Sequence, residues 1–221
     1  MKLHLVIAYF GQRYHGWQHQ PGQATVQGAI EQAAVRVFKE PVDQEHLTRF
    51  YADPARYAFN FQIHLLHKRI GIQMLAACEA LYSDAYAGAI VDRSLFGDEV
   101  FASLHHDAGN IDDLDWEAYR SALRNMQFMI WPPTTLIYLR VQPEVALARM
   151  QKRMSEEQRA FEGGVTLEYL QELYKRYETL VKDASRGAFP WSHTLEVRYV
   201  DWNPSIRTKA EWDQVAAGLK E

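Results

Sequence analysis

Apolar residues along the chain form two patterns, short continuous runs and longer stretches with helical spacing. The short runs are rich in β-formers and predict strands, and the stretches between them predict helices. Alternation of this kind is typical of an α/β fold with a parallel β-sheet flanked by helices. The predicted strands are 3–9, 89–91, 135–141 and 195–200, and the predicted helices are 98–106, 113–129, 143–154, 167–183, 209–219 and one that begins at Pro54.

The helix that begins at Asp53-Pro54 has the clearest start signal. An aspartate in the N-cap position precedes a proline in the first helical position. The spacing of its apolar side chains predicts one buried face, with a polar face opposite. The apolar positions are Tyr57, Phe61, Leu65, Ile72, Leu75 and Cys78.

Residues 25–40 carry two conflicting patterns. Thr25 as N-cap and apolar residues at helical spacing predict a helix to about Phe38, whereas residues 35–38 have the composition of a short strand. Both elements need a connecting loop between them, so either the helix ends near Ala33 or the strand is absent.

Composition narrows the class of protein. A chain of 221 residues with 48% hydrophobic content can bury one substantial core, which predicts a single domain over residues 1–221. The net charge of −4 argues against a general nucleic-acid binder. One cysteine, Cys78, excludes an internal disulfide and a cysteine-rich zinc site. With no signal peptide and no apolar run approaching ~20 residues, we expect a cytoplasmic protein without a membrane partner.

Residues 11–18, which follow the first predicted strand, have the glycine frame of a phosphate-binding loop. Gly11 and Gly16 match the G-x-x-x-x-G half of that motif. The positions that should be lysine and serine or threonine are Trp17 and Gln18. Neither side chain can reach the β- and γ-phosphates as a cation or hold magnesium through a hydroxyl.

Several short motifs downstream occur in a fixed order, and their combination is more specific than any one of them. They are Glu40-Pro41, the segment 50–62, Asp92-Arg93-Ser94, Tyr138-Leu139-Arg140, the segment 149–153, Glu156-Glu157-Gln158 and the segment 167–170. In this order they resemble the deoxynucleoside kinase family, most closely its bacterial members, over about residues 40–184. The resemblance implies a P-loop kinase-like architecture, ATP and Mg²⁺ as cofactors, a deoxynucleoside substrate and a homodimer.

The resemblance also implies the chemical roles of three residues. Glu40 would be the catalytic base toward the 5′-hydroxyl, and Arg93 would contact the transferring phosphate and the base. Asp92 would be associated with the magnesium ion. Their positions at strand ends agree with the place where open α/β sheets bind ligands.

Substrate binding is assigned by the same resemblance. Tyr51 would contact the sugar, Phe61 would stack on the base, and Gln62 would bind the hydrogen-bonding edge of the base. Arg69 lies seven positions after Gln62, nearly two helical turns, so both can face one pocket. Asp98 would help to hold Arg69, and a core role for Phe61 is about equally well supported.

The resemblance also implies a lid, a segment that closes over the donor phosphates in the family. Arg149 and Arg153 lie four positions apart on one helical face and would bind phosphate. Glu157 would approach the sugar from the lid. The chain reads Arg153-Met154-Ser155 where family lids commonly continue Arg-Gly-Arg, so one phosphate-contacting arginine is absent or displaced to Arg159.

The first 38 residues resemble a different family. The segments 14–18, 20–21 and 25–28 are similar to the start of bacterial tRNA pseudouridine synthases. The aspartate of the later Gly-Arg-Thr-Asp motif on which those enzymes depend is missing here. This predicts a foreign strand and helix joined to a kinase body, with a seam near residues 38–40.

Three functional hypotheses follow. The first is ATP-dependent 5′-phosphorylation of a deoxynucleoside, impaired by the loss of the loop lysine and hydroxyl. The second is a non-catalytic nucleoside-binding protein, and the third is an RNA-binding or RNA-modifying role of the N-terminal segment. For the histidines, including His64 and His67 on one helix, we expect polar or capping roles rather than zinc binding, because no motif supplies the other ligands.

Overall fold

The computed structural model describes residues 3–9, 35–41, 43–82, 88–157 and 165–203, with the backbone alone for 3–9 and 153–157. Five strands occur in this part of the chain: β1 (Leu3–Tyr9), β2 (Val35–Phe38), β3 (Gly88–Asp92), β4 (Thr135–Arg140) and β5 (Glu196–Asp201). They form one sheet in the order β2-β3-β1-β4-β5, and all neighbouring strands are parallel. The α/β fold predicted from the hydrophobic pattern is therefore confirmed.

The register brings the carboxyl ends of the strands to one edge of the sheet. Phe38 of β2 pairs with Val91 of β3, and Ile7 of β1 pairs with Asp92. All five residues of β3 are buried, as in a strand covered on both faces. The edge strand β5 is buried only at Val200, because its other positions meet solvent.

Six α-helices connect or flank these strands in the described part of the chain, and a short 3₁₀ helix, Leu95–Gly97, follows β3. The α-helices are α1 (Gln44–Ala52), α2 (Pro54–Tyr82), α3 (Asp98–Asp107), α4 (Asp113–Phe128), α5 (Pro143–Glu157) and α6 (Leu167–Ser185). Side chains of Asp43, Asp112 and Thr166 accept backbone N–H groups at the starts of α1, α4 and α6. These caps satisfy amides that have no partner within the helix. The predicted helix 209–219 lies outside the described residues.

The buried face of α2 differs from the predicted one. Leu75 is 61% exposed and Cys78 is exposed, although both were assigned to the apolar face. The buried face instead includes Gln62, Arg69 and Gln73 among small and apolar residues. The apolar pattern was misleading because this helix buries polar side chains beside the carboxyl edge of the sheet.

The conflict in residues 25–40 is resolved in favour of the strand over residues 35–38. Its residues pair in parallel with β3 from Val35↔Gly88 to Phe38↔Val91. The short helix α1 was not predicted, since its nine residues contain few apolar side chains and only Phe50 is buried. The strand places Glu40 two residues beyond the end of β2.

No helix in the described ranges has both the length and the apolar character needed to cross a bilayer.

Candidate active site

Glu40, Asp92 and Arg93 lie at the carboxyl ends of two neighbouring strands. Glu40 follows β2, Asp92 is the last residue of β3, and Arg93 comes directly after it. β2 and β3 pair in parallel, so both strands end at the same edge of the sheet. The topology thus brings together residues that are more than fifty positions apart in sequence.

Arg93 has a backbone φ of 58°, in the left-handed region that residues with a Cβ rarely occupy. It is the one non-glycine residue with positive φ in the described part of the chain. Its guanidinium lies over the ring of Phe101, 5.1 Å from the ring centroid. Such strain costs about 1–2 kcal/mol and is characteristic of functional sites, where it directs a side chain toward a ligand.

The carboxylate of Glu40 is held by two arginines. Nη2 of Arg69 donates to its Oε1 at 2.7 Å, and Nε of Arg93 lies 3.3 Å from its Oε2. Burial alone would raise the pKa of Glu40, but the positive charges of Arg93 and Arg69 outweigh that effect and hold the pKa below its ordinary value. Glu40 is therefore ionised at neutral pH.

Arg69 is 3% exposed and forms a second ion pair, with the carboxylate of Asp98 at the start of α3. The hydroxyl of Tyr119 donates to Oδ2 of Asp98 at 3.0 Å. A chain of buried contacts from α4 through α3 to α2 and β2 therefore fixes the guanidinium of Arg69. Burial raises the pKa of Tyr119, so its hydroxyl remains a donor.

Asp92 titrates in an unusual range. Burial and the nearby negative charge of Glu40 raise its pKa to about 7, although Arg93, Arg69 and a hydrogen bond from the backbone of Glu40 act in the opposite direction. Oδ1 of Asp92 is buried and has no hydrogen-bond partner among the described residues. A carboxylate oxygen in this position is the ligand type that Mg²⁺ prefers, so Asp92 fits the predicted association with the ion.

A cleft of about 240 Å³, counted with its opening to solvent, lies against this group. An added Cβ at Gly97 would meet Cε1 of Tyr177 at 3.4 Å, so the two residues are in close contact. Burial raises the pKa of the Tyr177 hydroxyl, and the charges of Arg93 and Arg69 oppose this. The residues that line the cleft are Arg69, Arg93, Ser94, Gly97, Phe101 and Tyr177.

Sequence reasoning assigned no role to Tyr119 and Tyr177. Both tyrosines lie within predicted helices, on stretches that contain many other apolar side chains, and nothing in their local sequence distinguishes them from core residues. Tyr119 lies next to Asp98 and Tyr177 next to Gly97 because of the way α4 and α6 pack. The apolar pattern of a single helix carries no information about that packing.

The residues predicted to bind the nucleoside occupy α1 and α2. Tyr51 is 39% exposed, whereas Phe61 is 8% exposed and stacks on Phe50 with ring centroids 4.8 Å apart. Gln62 is 2% exposed, and its Oε1 has no hydrogen-bond partner in the described ranges. Nε of Arg69 is likewise buried without a hydrogen-bond partner there. Two polar groups on one helix are thus available to a ligand.

The predicted lid residues are not gathered into this site in the part of the chain that is described. Arg149 is 9% exposed, and its guanidinium donates to the carbonyls of Trp202 at 2.8 Å and Asn203 at 2.9 Å. It therefore joins α5 to the residues that follow β5. The side chains of Arg153 and Glu157 and the loop 11–18 lie outside the described residues, so their predicted roles stay predictions.

A parallel sheet flanked by helices, with charged side chains beyond its carboxyl edge, is an α/β architecture that binds ligands at that edge, and the family and structural matches that follow make it P-loop kinase-like. The family profile described as Deoxynucleoside kinase matches residues 21–214. The chain belongs to the deoxynucleoside kinase family.

Individual relatives agree with this assignment. The chain is 36% identical to the deoxyadenosine kinase of Dictyostelium discoideum over 149 residues, which are 67% of this chain and 57% of the relative. It is 31% identical to the deoxyadenosine/deoxycytidine kinase of Bacillus subtilis, over 74% of this chain and 70% of the relative. The chain thus spans little more than half the length of the Dictyostelium enzyme.

The fold agrees with that of a solved relative. A structure of deoxyadenosine kinase from M. mycoides with bound dCTP superposes with a TM-score of 0.69 at 25% identity, covering 100% of this chain and 99% of that one. A second structure of the M. mycoides enzyme, with products bound, has a TM-score of 0.68 at 23% identity.

The resemblance of residues 1–38 to pseudouridine synthases is not supported by these comparisons. The family match extends back to residue 21, across the predicted seam near residues 38–40. Residues 35–38 form a strand of the same sheet as the kinase motifs. The division of the chain at that seam stays a prediction.

Proposed function

We propose that the protein phosphorylates the 5′-hydroxyl of a deoxynucleoside with ATP. The observation that carries this proposal is the Glu40 carboxylate, held between Arg69 and Arg93 at the carboxyl edge of the sheet. The names of the relatives support the substrate class, since they include deoxyadenosine and deoxycytidine kinases.

In the proposed reaction, Glu40 orients the substrate hydroxyl and accepts its proton. The hydroxyl oxygen forms the new bond to the γ-phosphorus, while the bond from that phosphorus to the leaving ADP oxygen breaks. Because phosphoryl transfer depends mainly on positioning and charge, a carboxylate with a lowered pKa can still perform this role. Arg93, directed into the site by its left-handed backbone, would stabilise charge on the transferring group.

Base recognition is proposed for Gln62 and Arg69, since both carry a buried group without a hydrogen-bond partner in the described ranges. A buried polar group without a hydrogen bond costs free energy. A nucleobase that forms hydrogen bonds with these two groups removes this cost, whereas a nucleobase that cannot form them leaves it in place. Asp98 would position Arg69, and Tyr51 would contact the sugar from α1. For Phe61, the contact with Phe50 leaves the stacking role a prediction.

The fit to a magnesium ion rests on Asp92, which carries a buried carboxylate oxygen without a hydrogen-bond partner among the described residues. Magnesium in such a site would neutralise charge on the donor phosphates. Arg149 and Arg153 would bind those phosphates only if Arg149 exchanged its carbonyl partners for phosphate oxygens.

Phosphorylation of deoxynucleosides would give the protein a cellular role in nucleotide salvage.

A second candidate is a protein that binds nucleosides without phosphorylating them. The absence of lysine and of serine or threonine at Trp17 and Gln18 favours it. These two groups position and neutralise the donor phosphates in working loops, so their loss removes the main sources of catalysis of phosphoryl transfer.

One experiment separates the two candidates. Deoxynucleoside binding and ATP-dependent phosphorylation are measured for the natural chain and for the W17K/Q18S variant. We expect both forms to bind a deoxynucleoside and the variant to turn over faster. Binding without any turnover in the natural chain would leave the second candidate, and absence of binding in both forms would contradict the assignment of Gln62 and Arg69.

The proposal includes a homodimer, and exposed apolar residues on α2 support it. They lie in the second half of the helix and include Leu75 at 61% and Tyr82 at 76% exposure. A paired surface would remove this apolar area from water. Light scattering coupled to size-exclusion chromatography should give twice the chain mass, and a monomer across the micromolar range would contradict it.

A further inference from the structure

Asp43, His46 and His64 form a cluster outside the site described above. Asp43 and His46 lie at the start of α1, and His64 lies on α2. One ligand atom from each residue lies within 4.8 Å of the others. No sequence motif supplied further ligands for these histidines, so polar or capping roles were expected, but the packing of α1 on α2 brings the three side chains together.

Two close approaches to Asp43 link the three side chains. Nδ1 of His46 lies 3.1 Å from Oδ1 of Asp43, and Nε2 of His64 lies 3.5 Å from Oδ2 of Asp43. The two imidazole rings are stacked, with centroids 3.9 Å apart and an angle of 12° between their planes. Because stacked rings hold their in-plane lone pairs nearly parallel, one ion can bind both histidines only after at least one ring turns about its Cβ–Cγ bond. Bond lengths near 2.0–2.2 Å in a tetrahedral zinc site separate ligand atoms by about 3.3 Å, which is close to the two distances from Asp43.

Nε2 of His64 gives a second, independent indication of a missing ligand. This nitrogen is buried and has no hydrogen-bond partner among the described residues, and Asp43 is too far away for a hydrogen bond of normal length. A buried polar atom without a partner is costly, and a metal ion would satisfy it. His46 is 45% exposed, which leaves a path for an ion from solvent.

The donor atoms of the cluster indicate the class of metal. Imidazole with carboxylate suits zinc and its neighbours Co²⁺, Ni²⁺ and Cu²⁺, rather than magnesium, which prefers oxygen ligands.

We propose that Asp43, His46 and His64 form a binding site for a divalent transition metal of the zinc class, with a fourth position open to water. The site is separate from the proposed phosphoryl-transfer chemistry and does not depend on it. A bound ion joins the first turn of α1 to α2. Because Asp43 follows Glu40 by three positions, the ion also fixes the segment that leads from the proposed catalytic base into α1.

The test is a titration of the full-length chain with Co²⁺, followed by its visible absorption and by calorimetry. We expect one ion per chain, with the absorption bands of a four-coordinate site, and displacement by Zn²⁺. In H46Q and H64Q, loss of one ligand should weaken binding by about 100-fold, at least the effect of losing an outer-shell partner. The matched control is H193Q, which removes an exposed histidine remote in sequence and should leave binding unchanged.

D43S separates the metal from the helix cap, since serine can still cap α1 but is a poor metal ligand. It should fold with unchanged helix content and lose metal affinity. If H64Q fails to fold, H46Q and D43S still test the site. The proposal is overturned if the natural chain binds no Co²⁺ at one equivalent, or if binding persists unchanged in D43S and H46Q, which would place the ion on other histidines.

Discussion

Arg69 and Arg149 are both almost completely buried, but the partners that the described residues give them differ in kind. Arg69 is paired with the carboxylates of Glu40 and Asp98, whereas Arg149 donates to the backbone carbonyls of Trp202 and Asn203. Sequence motifs had assigned both arginines to ligand binding. A buried arginine that pairs with carboxylates determines the net charge of the site around it. A buried arginine that donates to backbone carbonyls connects two segments of the chain.

This difference distinguishes the group around Glu40 from the predicted lid on α5. Around Glu40, ion pairs join residues of α2 and α3 to the segments that follow β2 and β3, so these side chains already hold one another in place. On the lid side, the described part of α5 is attached to the end of β5 by Arg149. Phosphate binding by Arg149 would need these bonds to break, and lids in many enzymes do change contacts on closing.

The largest expected effect on stability comes from replacing Arg69. R69L leaves the carboxylates of Glu40 and Asp98 buried without their cation, which should lower the free energy of unfolding by about 3–5 kcal/mol. The matched variant R149L leaves carbonyl groups without a donor and should cost about 1–3 kcal/mol. Urea unfolding of both variants measures the contrast, and R69L alone should lose nucleoside binding. Equal losses of stability and of binding in the two variants would contradict the comparison.

Asp92 should make stability depend on pH in a defined direction. Its pKa is about 7 in the folded chain and 3.8 for an ordinary aspartate, so folding favours the protonated form and stability falls as pH rises through this interval. D92N removes that decline. We expect D92N to be more stable than the natural chain at about pH 8, by a few kcal/mol in order of magnitude, and the difference to shrink at about pH 5.

Adding Mg²⁺ gives a second test of the predicted pKa of Asp92. A cation near Asp92 favours its ionised form, so Mg²⁺ should stabilise the natural chain at about pH 8 and have less effect on D92N. Urea unfolding at both pH values, with and without Mg²⁺, measures this. Identical pH profiles for the two proteins would show that Asp92 titrates in the ordinary range.

The smallest effect is expected for an exposed ion pair. Arg124 and Glu117 approach to 3.3 Å, but their side chains are 50% and 66% exposed. Because solvent screens such a pair, R124A should change the free energy of unfolding by no more than about 1 kcal/mol. A loss as large as that of R69L would mean that burial of the partners does not determine the cost of removing an arginine.

Much of the fold followed from the hydrophobic pattern. The apolar runs near 3–9, 89–91 and 135–141 are strands, and the helix from Pro54 begins at the proline that predicted it. These elements have strong local signals, either a continuous apolar run or a cap followed by proline. The helix α1 and the strand over residues 35–38 were missed or left open because both are short and have mixed composition.

Less of the candidate site could be predicted from the sequence. Family motifs named Glu40 and Arg93, but the left-handed backbone of Arg93 and the contacts of Tyr119 and Tyr177 arise only from tertiary packing. The apolar pattern of α2 was misleading because the polar residues Gln62 and Arg69 are buried rather than exposed to water. The stacking of His46 on His64 could not be predicted for a different reason, because the two residues lie on different helices.

The most direct test of the central claim is the paired measurement of deoxynucleoside binding and ATP-dependent phosphorylation in E40Q. It is made in the W17K/Q18S background, so that the donor side does not limit turnover. If Glu40 is the acceptor base, turnover should fall by about 10²- to 10⁴-fold while binding changes only a few-fold. The control E45Q, which removes an exposed glutamate paired with Arg49, should match its parent. Turnover by E40Q equal to that of the parent would contradict the account.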